Sequence, residues 1–232
     1  VFRDVDGDAD VTDAGTLLYA GATVRLYRDD GDDSPDSGDT LVGTTTTSAS
    51  GQYGFSALGN GTYWVTIDSR TLSGLAYNAG YGLDDVWAEQ TYGVAGAMQG
   101  AGFLATPGAL YGGRNAVVSD NASSLATSEH VTRVLLTGGA ATAVDSGFSF
   151  SAIVNTRGDA GDDDGGATGR LHQGSLRQFL INSNAVGNVQ SANFSVGSGA
   201  ITIAPTSALP TITDAVVLDA TTQEGYAGTP LV

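Results

Sequence analysis

Residues 29–45 read DDGDDSPDSGDTLVGTT, and no other stretch limits the possible folds so tightly. Oxygen-bearing side chains recur through it at Asp30, Asp32, Ser34, Asp36 and Asp39, while Gly31 and Gly38 let the chain curl. So much like charge in one loop repels itself and resists ordering. A hard cation seeking six to eight oxygen ligands reverses this, turning repulsion into coordination. Strand-like runs flank the loop, Thr23-Val24-Arg25-Leu26-Tyr27 before it and Thr40-Leu41-Val42-Gly43-Thr44 after it. An ion there would clamp two neighbouring strands. Calcium is the expected ion, and a solvated acidic turn is the plain alternative.

A second acidic run lies at the amino terminus, FRDVDGDADVTDAGTLL, with Asp4, Asp6, Asp8, Asp10 and Asp13. Its spacing is superficially that of an EF-hand loop. However, Ala9 stands where the sixth-position glycine belongs and Gly15 where the twelfth-position glutamate belongs. An oxygen-rich turn between strands is the better expectation.

The charge balance narrows the function classes. Net charge is −16, aspartates outnumber glutamates 22 to 3, and all nine basic residues are arginine. Phosphate neutralisation of a nucleic acid and a polybasic membrane patch are therefore not expected. No apolar run approaches the roughly 18 residues of a membrane helix. Cysteine is absent, which removes disulfides, zinc–thiolate sites and thiol nucleophiles. A secreted protein without disulfides needs another staple, and a metal can supply it. The chain starts on Val1-Phe2 and stops at Leu231-Val232, so a piece or processed product of something longer is expected.

Glycine is abundant, with 34 residues, which favours short strands and turns over long helices. The clearest strand signals run from 20 to 67. Val24 and Leu26 alternate with Arg25 and Tyr27, and 41–47 is rich in β-branched residues. An aromatic strand is expected at Tyr53-Gly54-Phe55. Asn60-Gly61 signals a hairpin into 62–67, where Tyr63, Val65 and Ile67 share a face. Short strands about ten residues apart predict a sandwich.

The segments VFRDVDGDAD and AGATVRLYRDDGDDSPDSGDTLVGTTTTSASGQYGFSALGNGTYWVTID carry a resemblance. Together they resemble the B-type repeat of Sdr surface adhesins, a family with a prealbumin-like Ig sandwich related to the Cna B domains. The resemblance implies calcium in the acidic loops, a rod-like stalk role and no catalysis. Carried over by position, it implies Asp29, Asp30, Asp32, Asp36 and Asp39 as loop ligands, with Asp4, Asp6, Asp8 and Asp13 at the amino-terminal site. The first site departs from the pattern, since Asp13-Ala14-Gly15 sits one residue late and Thr16 replaces the usual glutamate. The absence of lysine removes the Lys–Asn isopeptide link of many Cna B relatives, and composition leaves a Thr–Gln ester link open.

Residues 68–128 read as a long insertion of loops and short strands. Tyr77, Tyr81, Trp87, Tyr92, Phe103 and Tyr111 are expected to pin irregular backbone onto the sandwich, the alternative being an exposed sugar-binding face. Strand character resumes at 130–136, and 144–150 is the expected closing strand. The first domain thus spans 1–153.

Residues 154–232 open with an acidic segment (Asp159, Asp162, Asp163, Asp164) expected to be a flexible linker. Ser175 then suits the cap of a helix whose Leu176, Phe179, Leu180 and Ile181 form the buried stripe. Two short strands are expected at 200–204 and 215–219. The string GSLRQFLINSNA, followed by SALPTIT and LDATTQ, resembles the opening of large bacterial surface proteins that lead into a right-handed parallel β-helix. Such a solenoid needs about three repeats, so this segment must pack on the first domain, on a neighbouring chain or on further sequence.

The expected fold is mainly β: an Ig-like, prealbumin-like β-sandwich with a long insertion, plus a small C-terminal segment with one helix and short strands. His130 and His172 lack a nearby nucleophile and read as structural or surface residues. The expected function is a non-enzymatic, calcium-rigidified module of a bacterial surface protein, an adhesin stalk or fibre subunit able to self-assemble by strand addition. Its setting would be extracellular, and its partners neighbouring copies or domains, or a host, matrix or glycan ligand. The competing reading is a carbohydrate-binding accessory of a β-helix enzyme.

Overall fold

The computed structural model describes residues 1–12, 17–73, 76–114, 123–153, 159, 161, 174–187 and 190–229. In chain order the first strands are β1 (Phe2–Arg3), β2 (Thr23–Arg28), β3 (Thr40–Thr46), β4 (Gly61–Ile67) and β5 (Glu89–Gly93). Three short strands follow, β6 (Met98–Gln99), β7 (Gly102–Phe103) and β8 (Gly108–Ala109), then β9 (Val131–Leu136) and β10 (Ser146–Ser149). The chain continues through β11 (Ala152–Ile153), helix α1 (Leu176–Ala185), β12 (Gln190–Phe194) and β13 (Val216–Asp219). The protein is mainly β.

Two four-stranded sheets face one another across a shared core. One has the order β3-β2-β4-β9 and is antiparallel throughout; the other has the order β1-β10-β5-β8, with β1 parallel to β10. Alternation in β2 sends Val24 and Leu26 into the core, where they meet Tyr63, Val65 and Ile67 of β4 and Phe148 of β10. Burying Phe148 and Phe150 contributes about 1.5–3 kcal/mol each. The close approach of β10 to β1 requires Gly147, since a Cβ there would fall 2.5 Å from the Phe2 ring.

Strand β4 is buried on both faces. Trp64, on the side away from the main core, joins Tyr27, Met98, Leu125 and Val131 in a second cluster. The β6–β7 hairpin covers it, with the Phe103 ring stacked 6.1 Å from the Trp64 ring. The insertion therefore folds back as a cover over one sheet, and β5 within it is a central strand of the other.

Three expectations change. Tyr53 and Phe55 pack against the core on irregular backbone rather than on a strand, the Tyr53 hydroxyl donating to the Val144 carbonyl at 2.8 Å. Residues 200–204 form no strand; residues 190–194 do, pairing in parallel with β11 on one side and β13 on the other. Asp159 is no solvated linker residue, because Arg177 grips both its oxygens at 2.9 and 3.0 Å and holds its carboxyl well below the usual carboxylate range. Asp162, Asp163, Asp164 and His172 lie outside the described residues.

Ser175 caps α1, accepting the Gln178 N–H at 2.9 Å. Phe179 and Leu180 pack with Ala192, Phe194, Val196 and Ile201 in a core of their own, with Leu176 at its margin. At the other end of the helix, Ala185 and Val186 enter the main core between the sheets. The C-terminal segment thus packs on the first 153 residues.

Candidate metal centre

The β2–β3 hairpin closes at the pair Arg28 and Thr40, and the acidic loop is what lies beyond it. Within that loop, Asp29, Asp30 and Asp39 each offer an oxygen within 4.8 Å of the others. Two ionised carboxylates that close repel by about 1 kcal/mol in water and by roughly 3–4 kcal/mol at an effective dielectric of 20. A divalent cation between them would convert that cost into bonding.

The loop also bonds to itself. Asp39 accepts the N–H groups of Asp30 at 3.1 Å and Asp36 at 2.9 Å, and Asp29 accepts those of Gly31 and Asp33 at 3.1 Å each. Burial pushes the Asp39 carboxyl above its ordinary range, the two backbone donors oppose it, and the charges of Asp29 and Asp36 add to the upward push. Asp32 and Asp36 stand outside the trio; each accepts the N–H two residues on, from Ser34 at 2.8 Å and Gly38 at 2.6 Å. A Cβ at Gly38 would fall 2.5 Å from an Asp30 carboxylate oxygen, so a larger residue there would turn the exposed Asp30 side chain away from its present position. Beside the loop, the Arg133 guanidinium meets Asp33 at 2.6 Å.

At the amino terminus, Asp4, Asp6 and Asp8 form a second carboxylate trio. Asp6 and Asp8 are exposed, whereas Asp4 is fully buried. The Asp4 carboxylate accepts from Gly7 N at 2.8 Å, Asp8 N at 3.2 Å, Ala9 N at 2.9 Å and the Thr91 hydroxyl at 2.5 Å. Four donors nearly fill its acceptor capacity, so Asp4 organises the turn. Desolvation dominates its titration and pushes it up to about 6. The loop sits where the sheets meet the parallel strands: the Asn193 amide donates to the Asp6 carbonyl, and the Tyr111 hydroxyl to the Gly7 carbonyl at 2.9 Å. Asp13 lies outside the described residues.

No protein-family model matches the chain, and no solved structure matches it. Among the described residues no helix is long and apolar enough to cross a membrane.

The insertion's aromatic rings are mostly packed. Trp87 and Tyr92 are buried, Tyr77, Tyr81 and Tyr111 half-buried, and Phe103, the exposed one of these six, is stacked on Trp64. Away from both loops the structure unites Glu89 and Glu129, for which the sequence suggested no role, with His130, expected as a structural or surface residue. The available signal was their rarity, for the chain has three glutamates and two histidines.

Proposed function

We propose that this chain is a non-enzymatic structural module of an extracellular bacterial surface protein, stiffened by calcium in the β2–β3 loop. The observation that carries the reading is the Asp29–Asp30–Asp39 trio, set at the mouth of a hairpin whose strands belong to the main sheet. Calcium suits it because the donors are carboxylate oxygens in a curled loop, with backbone carbonyls and water available to complete a shell. The reading extends to an Ig-like, prealbumin-like sandwich of the Sdr B type, on the strength of the sequence resemblance. Two facing four-stranded sheets, one antiparallel throughout and the other mixed, are compatible with that fold. For the C-terminal segment, a capped helix followed by parallel strands supports the opening of a β-helix.

Calorimetric titration with calcium tests the loop assignment. The wild type should take up calcium with a dissociation constant of about 10⁻⁴ to 10⁻³ M, the range of extracellular modules. The Asp30→Asn/Asp39→Asn double variant should lose that uptake. Equal uptake by both proteins would remove the loop from the account.

A further inference from the structure

Among the described residues, the edges of the two facing sheets are closed or short, with one exception. β1 is bounded by Leu17–Tyr19, where Arg3 N donates to the Leu17 carbonyl and Tyr19 N to the Val1 carbonyl. β9 is bounded by the chain entering β6, with Arg133 N donating to the Gly96 carbonyl at 2.8 Å and Ala97 bridging to Thr132. β8 is two residues long, too short to template another strand. The exception is β3, a terminal strand of seven residues that pairs with β2 and has no strand on its other side.

The sequence of β3, TLVGTTT, has neither charge nor proline, two common devices for blunting an edge. Its β-branched residues favour the extended backbone. Leu41 and Val42 are 50% and 44% exposed. Just past the strand, Thr47 N donates to the Ala22 carbonyl and the Thr47 carbonyl accepts from Gly21 N, both at 2.9 Å. Alternation along an antiparallel ladder then turns Thr45 and Gly43 towards β2, and the N–H and C=O groups of Thr44 and Thr46 outward. No hydrogen bond joins those outward groups to another described residue. Charge is confined to one end: the acidic loop adjoins Thr40, and no residue from Thr40 to Ile67 is charged.

We propose that the free edge of β3 docks β3 of a second copy, antiparallel about a twofold axis, so that two sheets become one. Thr45 lies on the axis, and Thr44 of each copy exchanges backbone bonds with Thr46 of the other. Two like, uncharged edges meet, so neither copy brings into the ladder a charge that the other must neutralise. The acidic loops fix the direction. Antiparallel pairing sends them to opposite ends, roughly 33 Å apart at about 3.3 Å per residue, several Debye lengths at physiological salt. Parallel pairing would set them side by side, about 4.8 Å from strand to strand. Each copy spends its edge on the other, so the assembly closes at a dimer. The pairing needs no ion in the β2–β3 loop, so it holds or fails separately from the calcium assignment.

Sedimentation equilibrium of the full chain with chelator present, in about 0.5 M NaCl to screen the net charge, tests this pairing. The apparent mass should climb from 23.4 kDa towards twice that value and stop there. Concentrations up to about 1 mM register even a millimolar dissociation constant. Thr44→Lys/Thr46→Lys should stay monomeric, because its lysines oppose one another across the pair. The same change moves the net charge of −16 two units nearer zero, which would strengthen any association limited by overall repulsion. Thr45→Cys should give a disulfide-linked dimer on mild oxidation, since facing Cα atoms of such a non-hydrogen-bonded pair lie about 4.5 Å apart. Leu135→Cys, 58% exposed on the bounded strand β9, should not. In the wild type, amide exchange at Thr44 and Thr46 should slow as concentration rises. A wild type that stays at 23.4 kDa, leaving the edge to a strand from another protein, overturns the proposal, as does one that grows past the dimer. Dimers undiminished in the lysine variant, crosslinks as frequent in Leu135→Cys as in Thr45→Cys, or exchange independent of concentration would overturn it equally.

Discussion

Asn182 on α1 pairs with the backbone of Trp87 as a neighbouring strand would: its Oδ1 accepts the Trp87 N–H at 3.0 Å and its Nδ2 donates to the Trp87 carbonyl at 2.8 Å. The same amide donates to the Phe150 carbonyl at 3.0 Å and accepts from Gln178 Nε2 at 3.0 Å, so all four of its hydrogen-bonding positions are used. One buried side chain thereby fastens the C-terminal helix to the backbone just before β5 and just after β10.

Asn182→Ala removes the side-chain hydrogen bonds to three backbone groups, the Trp87 N–H and carbonyl and the Phe150 carbonyl, at about 1–3 kcal/mol each before relaxation. Urea unfolding should show a loss of about 3 kcal/mol or more. Asn182→Asp, which loses the donors and buries a charge, should fare no better. A loss below about 1 kcal/mol would mean that water reaches this junction.

Asp4 predicts a stability component with an unusual pH dependence. In the native protein it holds its proton up to about pH 6, while the unfolded chain releases it near 3.8. Between those values the native state binds more protons, so rising pH favours unfolding. The full difference amounts to about 2–3 kcal/mol, and it is in place below the lower value and gone above the upper one. Comparison of wild type with Asp4→Asn in calcium-free buffer, from pH 3.5 to 7, should show the wild type losing ground across that window. A stability difference that stays flat, or moves the other way, contradicts the burial argument.

The Asp33–Arg133 contact is short, at 2.6 Å, but its side chains are 49% and 33% exposed. A double-mutant cycle should therefore return a coupling of about 0.5 kcal/mol and less than about 1 kcal/mol. Arg133→Ala should cost more than Asp33→Ala, because the guanidinium also lies over the Phe103 ring at 5.7 Å. Equal costs would show that the ring contact contributes nothing.

The strands β2, β4 and β9 were legible because alternation and β-branched residues mark them, and Ser175 announced its helix. β12 was not, because QSANF has no β-branched residue and its burial alternates through Gln190, Ala192 and Phe194. Tyr53 and Phe55 misled, since aromatic rings fill a core from irregular backbone as well as from a strand. In the acidic loop, alternate spacing serves two ends. A carboxylate can cap the N–H two residues on, as Asp32 and Asp36 do, gather with other carboxylates, as Asp30 and Asp39 do, or do both, as Asp29 does. Spacing alone does not separate these roles. The Glu89–Glu129–His130 cluster joins residues 40 apart through the packing of one sheet on the other, and no local pattern encodes that.

The central claim, calcium between the strands of the β2–β3 hairpin, is tested most directly by thermal unfolding of the wild type and Asp30→Asn/Asp39→Asn. Each is melted in buffer with about 10 mM calcium and again without calcium, a concentration some 10–100 times the expected dissociation constant. Selective binding to the native state should then stabilise the wild type by about 1.4–2.7 kcal/mol. For a chain of this length that is a rise of about 3–10 °C, which the double variant should lack. Wild-type melts that coincide with and without calcium would contradict the account and leave the loop an ordinary acidic turn.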